Sequence, residues 1–252
     1  MVQKGDSTSG AGSLAEELVA VGAYYGRRRA RRHPSCTFAL AATKDGIDII
    51  NLTVTLEQIA AAKRVLRAAG ETGVVVLWVS ARPEGRMAVR DIATTLGHPY
   101  VAGRWLGGTL TNLPELRKRL RHLTSLRQMR EEGIFEQRYT KRERLMLERE
   151  MRALEEDFEG LLPLMDAEPH LAVVVDPTHT PVAAEELAAQ RVPFVGLIST
   201  DGNCSAVPYP IVCNVGSRAT VSRVLAELRA AYEEGVAAKK ETPVMAPAHS
   251  NA

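Results

Sequence analysis

Leu147, Met151, Leu154, Phe158 and Leu161 recur at spacings of 4, 3, 4 and 3. A heptad seam of this kind must be covered by a second helix, because one face of the helix is apolar along its whole length. Upstream, Leu113, Leu116, Leu120 and Leu123 repeat at helical spacing, and Gly133 interrupts the pattern between the two stretches. Residues 113–161 are therefore expected to fold back as an antiparallel coiled-coil hairpin. Its charge is divided between the arms. Arg117 to Arg130 holds six Lys and Arg residues and no acid, whereas Glu143 to Glu159 holds seven acids against three arginines. Pairing across an exposed hairpin explains much of this split. The alternative is that one arm faces RNA and the other faces protein or solvent.

On both sides of the hairpin the pattern changes to alternating strands and helices. Residues 37–42 and 46–52 read as strands around Lys44-Asp45-Gly46, where Asp-Gly signals a hairpin. Residues 55–69 form an amphipathic helix with Gly70 as its stop, and 74–79 is a continuous apolar run suited to a buried parallel strand. Pro83 opens a helix that runs to Leu96 and ends at Gly97, and 98–102 is a short strand. Beyond the hairpin, 171–175, 193–198 and 211–213 read as strands. Residues 181–190 form a helix with Glu185 and Glu186 exposed, and 217–232 form the last helix.

This alternation predicts an α/β fold, a flavodoxin-like or Rossmann-like, mainly parallel sheet flanked by helices. Residues 13–112 and 162–232 make one domain, from which the hairpin is an excursion. Ser13 is the expected N-cap of a first short helix. The flanking segments 1–12 and 233–252, rich in Gly and Ser or in Ala, Lys and Pro, are expected to be disordered.

A net charge of +2 excludes a uniformly basic chain, so a nucleic-acid surface has to come from uneven placement. Arg27 to Arg32 supplies five arginines in six positions, and no acid occurs from Leu18 through Thr43. Such a segment needs an anionic partner or open water, and the guanidinium fork matches phosphate oxygens. Arg27, Arg28, Arg29, Arg31 and Arg32 are the expected phosphate contacts. Arg82, Arg86 and Arg104 at strand ends, with Lys118, Arg119 and Arg121 along one hairpin arm, extend the set.

Little else suggests chemistry. No GxGxxG follows a strand, and no P-loop lysine is present. Asp176 and His179 lie just past a strand end, but Asp-Pro-Thr-His suits a local turn. Cys36, Cys204 and Cys213 show no metal-ligand spacing and are expected to be reduced thiols of a cytosolic-type compartment. No apolar run is long enough to cross a bilayer, and residues 1–12 resemble neither a secretory nor a transit peptide. No catalytic residues, cofactor, metal or membrane partner is expected. Two rival readings remain: an α/β enzyme binding a sugar phosphate or nucleotide at the sheet edge, and a protein-protein adaptor using the hairpin.

The stretch Gly103-Arg104-Trp105-Leu106-Gly107-Gly108-Thr109-Leu110-Thr111-Asn112 is the most specific wording in the chain. It closely resembles the signature of the second protein of the small ribosomal subunit, in its bacterial-type form. Leu18 to Gly26 followed by Arg31-Arg32-His33-Pro34, Gly46 to Leu52, Leu171 to Glu185, Val192 to Leu197 and Tyr209 to Asn214 resemble further blocks of that family in the same order. The loop Ala81-Arg82-Pro83-Glu84-Gly85-Arg86 is unlike the family's usual wording. The resemblance implies a non-enzymatic structural constituent of the small subunit. It would bind small-subunit ribosomal RNA at the head-body junction, beside other small-subunit proteins and, in bacteria, the large first protein. Its place would be the cytoplasmic ribosome, or the ribosome of a mitochondrion or plastid. Trp105, Gly107, Gly108, Thr109, Thr111, Asn112, Asp176 and His179 would be its structural signature. Trp105 is expected to anchor the loop in the core, the alternative being that it stacks on a base.

Overall fold

A computed structural model describes residues 9–241, with side chains from 14 to 239. Of the tails expected to be disordered, 1–8 and 242–252 fall outside those residues, whereas 9–12 are helical. The centre is a five-stranded parallel sheet of β4 (Val76–Ser80), β5 (Tyr100–Val101), β6 (Leu171–Val175), β7 (Phe194–Ile198) and β8 (Tyr209–Val212), in the order β5-β4-β6-β7-β8. β6 matches the sequence expectation, and the ends of the other strands fall within two residues of it. β4, β6 and β7 are buried at every position, which is why they read as unbroken apolar runs. Alternate residues serve two cores. Trp78, Val173 and Val195 face one apolar cluster, whereas Leu77, Val79 and Val174 face the other.

The first cluster is closed by α1 (Ser9–Ala20), α2 (Leu52–Thr72), α3 (Pro83–Leu96) and α8 (Arg218–Glu241). Helix α1 starts at Ser9, so Ser13 lies inside it and is not its cap. Gly70 does not stop α2. The helix continues to Gly73, whose left-handed φ of 76° ends it. Gly70 instead sits where α8 crosses, and a Cβ there would overlap the backbone of Tyr232. Gly235 answers it on α8, against the backbone of Arg67. This crossing extends the last helix through residues 233–241, a stretch that the sequence alone reads as a disordered tail.

The second cluster is covered by α7 (Pro181–Ala189) and by the hairpin of α4 (Leu113–Glu131), α5 (Ile134–Arg138) and α6 (Lys141–Phe158). Leu116, Leu120 and Leu123 meet Met151, Phe158 and Leu161, and this seam is continuous with Trp105 and Leu110 of the main core. Gly133 turns the chain at φ 69°, and Thr140 with Glu143 forms a reciprocal capping box at the start of α6. Arg127 pairs with Glu155 at 2.9 Å and with Glu159 at 3.4 Å, so part of the divided charge is settled between the arms.

A small antiparallel sheet, β1 (Tyr25–Arg28), β3 (Ile47–Ile50) and β2 (Leu40–Lys44) in that order, lies beside the main one. Asp45 and Gly46 both have positive φ, as the tight turn between β2 and β3 requires. Residues 37–39, expected in a strand, belong to a 3-10 turn over Pro34–Ala39. Pro34 presets its φ, and the His33 ring accepts from the Ser35 amide. Leu52 likewise begins α2 because Asn51 caps it.

That 3-10 turn carries a second correction. Cys36 and Cys204 are joined in a disulfide, with Cα atoms 5.7 Å apart, and are not reduced thiols. Their separation of 168 residues hides the pairing, which arises because the loop after β7 folds against the turn. Ser35 Oγ accepts from the Cys204 amide at 2.9 Å, and Thr200 O accepts from the His33 amide at 2.9 Å. Cys213 is a buried thiol whose pKa is pushed up to about 12 by desolvation, with a smaller push from Asp176. Peptide mapping without reductant is expected to recover the Cys36 and Cys204 peptides cross-linked and Cys213 unalkylated until the chain is denatured. Free alkylation of all three in the folded protein would contradict this pairing.

Candidate nucleic-acid interface

The loop from β5 to α4 is wrapped around one carboxylate. Trp105 Nε1 and the Gly108 amide donate to Glu186 Oε1 at 3.0 and 2.7 Å. The Leu110 and Thr111 amides and the Thr111 hydroxyl donate to Oε2 at 2.9, 3.1 and 3.2 Å. Gly108 makes the wrap possible with φ 89°. Thr109 closes the turn by donating from Oγ1 to Leu106 O at 2.6 Å. Trp105 is buried against the core beneath it. Gly107 and Asn112 lie on the rim.

The sequence reads Glu186 as exposed, and in the fold it is only 7% so. The signal for its burial is its place beside buried Leu187 and three residues after buried Ala183, on the inward stripe of α7. Burial alone would raise its pKa. The Trp105 indole and the loop amides more than offset this, and the pKa falls below the usual carboxylate range.

The arginines divide into two groups. Arg32 is held by Asp48, a fully buried carboxylate of β3, through Nε at 2.9 Å and through a second, shorter bond from Nη2. Arg32 is the main cause of the low Asp48 pKa. The arginine-rich segment is thus partly neutralised after all, by acids that lie outside it in sequence. Arg27 likewise stands 3.6 Å from Asp201, while its amide donates to Thr200 Oγ1 at 2.8 Å. Arg82 bridges the ends of β4 and β6, pairing with Glu84 at 3.0 Å and Asp176 at 3.1 Å. Asp176 accepts the His179 amide through its backbone oxygen at 2.9 Å, in a turn begun by its own φ of 55°. Lys118 pairs with Glu115 on its own helix.

Arg28, Arg29, Arg31, Arg86, Arg104, Arg119 and Arg121 are exposed, and among the described residues none has a carboxylate partner within 4 Å. Arg119 stands over the Phe158 ring, 5.8 Å from its centroid. The fold brings several of the sequence-predicted residues together. Arg27, Arg31, Arg82, Asp176 and His179 line one cleft of about 320 Å³ at the carboxyl ends of β4, β6 and β7. Arg86, Arg104, Trp105 and His179 line a neighbouring cleft of about 340 Å³. Both lie where the chain switches direction across the sheet, since β5 extends it on one side of β4 and β6 on the other. Lys118, Arg119 and Arg121 lie apart on α4.

Residues 18–235 match the family described as Ribosomal protein S2. The small ribosomal subunit protein uS2 of Nocardia farcinica is 34% identical over 227 residues, 89% of this chain and 78% of that protein. Those of Mycobacteroides abscessus and Parabacteroides distasonis are 33% and 28% identical, over 89% and 94% of this chain and 80% and 84% of theirs. The match takes in the parallel sheet, the signature loop and the whole hairpin, and the chain belongs to the ribosomal protein S2 family.

Proposed function

We infer that the chain is a structural constituent of the small ribosomal subunit that seats on ribosomal RNA through the arginines left without carboxylate partners. The observation behind this reading is the family match over residues 18–235, joined to a basic segment whose Arg28, Arg29 and Arg31 remain open to solvent. The family is one of structural ribosomal proteins and not of enzymes. Asp176, the nearest approach to a catalytic carboxylate, is instead engaged by Arg82. The finer placement belongs to the same proposal: a bacterial cytoplasmic ribosome, the head-body junction, and contact with neighbouring small-subunit proteins including the large first one.

Phosphate contacts position a protein without reading bases, so recognition should follow the shape of folded RNA. Replacing Arg28, Arg29 and Arg31 by Ala is expected to weaken binding to small-subunit RNA. It should also flatten the dependence of log K on log salt by roughly two units, at about 0.7 to 0.9 for each phosphate no longer neutralised. Arg32 is left intact because its removal would strand Asp48. Titrations at a series of salt concentrations read both effects, and an unchanged slope would remove these arginines from the interface.

A further inference from the structure

The small sheet of β1, β3 and β2 turns one face to the core and leaves the other open. Asp48 and Ile50 of β3 point inward, where Arg32 and Thr43 hold the carboxylate and Ile50 joins the main core. The outward rows follow from the register. Tyr25, Ile49 and Ala42 lie opposite one another across the three strands, and Arg28, Ile47 and Lys44 make the next row. Residues paired directly across strands share a face. A register shift in β1 between Tyr25 and Arg28 brings both onto it despite their odd spacing. Tyr25, Ile47 and Ile49 belong to neither apolar cluster, and Tyr25 and Ile47 are 46% and 39% exposed. The Tyr25 ring is held from behind. Its centroid is 4.3 Å from that of Tyr24, and Gly22, at φ 70°, comes so close that a Cβ there would stand 3.3 Å from the ring. The charged groups of the face, Arg28 and Lys44, are both cationic, and among the described residues neither has a carboxylate within 4 Å. The Arg29 amide donates to Gly46 O at 2.9 Å, which keeps the arginine run alongside. Asp45 stands beyond the face, in the turn that follows Lys44.

We propose that this face is a platform for an unpaired RNA base. The base stacks on the Tyr25 ring and extends the pair already formed with Tyr24. Ile47 and Ile49 support its edge, while Arg28 and Lys44 take the flanking phosphates. An aromatic ring on an antiparallel sheet, bordered by cations, suits single-stranded RNA, whose bases are free to leave the helix. The face adjoins Arg29 and Arg31, so a strand that meets those arginines can lay a base on the tyrosine. The proposal rests on the RNA-binding reading and adds to it. Phosphate contacts alone follow shape, whereas a stack singles out an unpaired nucleotide.

The test uses the full chain with Tyr25→Leu, which keeps an apolar side chain without the ring, and Tyr25→Phe, which keeps the ring. Ile47→Glu, at an exposed position, is a third variant and sets a negative charge between the cations. Anisotropy titrations compare an RNA hairpin carrying a bulge of unpaired adenosines with the same hairpin fully paired. Wild type and Tyr25→Phe should prefer the bulged RNA. Tyr25→Leu should bind it roughly 5- to 150-fold more weakly, the range for deleting one stack of a base on an aromatic ring, and should bind the paired hairpin as wild type does. Its salt slope should be unchanged, since no phosphate contact is lost. Ile47→Glu should weaken binding to both hairpins. Equal binding of the two hairpins by wild type, or a preference that Tyr25→Leu retains, would overturn the platform. Unaltered RNA binding by Tyr25→Leu and Ile47→Glu, with loss of both variants from assembled small subunits, would give the face to a protein neighbour and overturn it as well. The RNA-binding reading fails separately, on the salt slope of the Arg28, Arg29 and Arg31 variant.

Discussion

Glu186→Gln is expected to destabilise the protein by roughly 2–6 kcal/mol, at about 1–3 kcal/mol for each of two buried donors left without an acceptor. The substitution preserves shape but replaces one acceptor oxygen with an amide donor. Whichever oxygen is replaced, an NH₂ group then faces N–H donors, either those of Trp105 and Gly108 or those of Leu110 and Thr111. The loop cannot turn its amides elsewhere, because Trp105 and Leu110 are packed into the core that the hairpin root shares. Urea unfolding measures the effect, and the emission of Trp105 should shift to the red as its ring gains water. A variant within about 1 kcal/mol of wild type would mean that the loop is held by apolar packing alone.

The second large effect is a dependence on acid. Trp78 Nε1 can only donate, and it lies 3.3 Å from His98 Nδ1, which must therefore accept. The ring proton is then on Nε2, which donates to the Tyr232 hydroxyl at 3.1 Å, and that hydroxyl donates to Val74 O at 3.0 Å. Every group in this chain is satisfied only while His98 is neutral. Desolvation accordingly lowers its pKa from 6.5 to about 4. The sign follows from linkage. Below the unfolded value the unfolded chain takes up a proton that the folded chain refuses, so stability is lost as pH falls from 6.5 towards 4. At about 1.4 kcal/mol per pH unit the loss approaches roughly 3 kcal/mol. Unfolding midpoints at pH 7.5 and pH 4.5 should therefore be further apart for wild type than for His98→Gln, whose amide can bridge Trp78 and Tyr232 without titrating. Equal separations would show that His98 is not the group responsible.

The placing of elements follows from pattern because the relevant forces are local or periodic. Buried parallel strands must be apolar on both faces, so 171–175 stands out in the sequence and in the sheet alike. Pro83 and Gly97 bound α3 in the sequence and in the fold, since a proline start and a left-handed glycine end depend on a few neighbouring residues. The heptad leucines place the hairpin for the same reason. Gly70 misleads because a glycine in sequence is a stop signal, whereas here its missing Cβ admits another helix.

The site is legible in the sequence only as a set of charges. Composition and spacing determine that the arginines of 27–32 outnumber nearby acids, and the family resemblance marks out the Trp105 to Asn112 loop. They cannot show that Asp48 claims Arg32, that Asp176 claims Arg82, or that Cys36 reaches Cys204 across 168 residues. Glu186 is the clearest case. In sequence it is one of two glutamates on a short helix. In the fold it is the acceptor for five donors from a loop some 75 to 81 residues away. Helices and strands are decided by neighbours in the chain. Which charge is neutralised, and which is left open to solvent, is decided by distances that exist only after the sheet has closed.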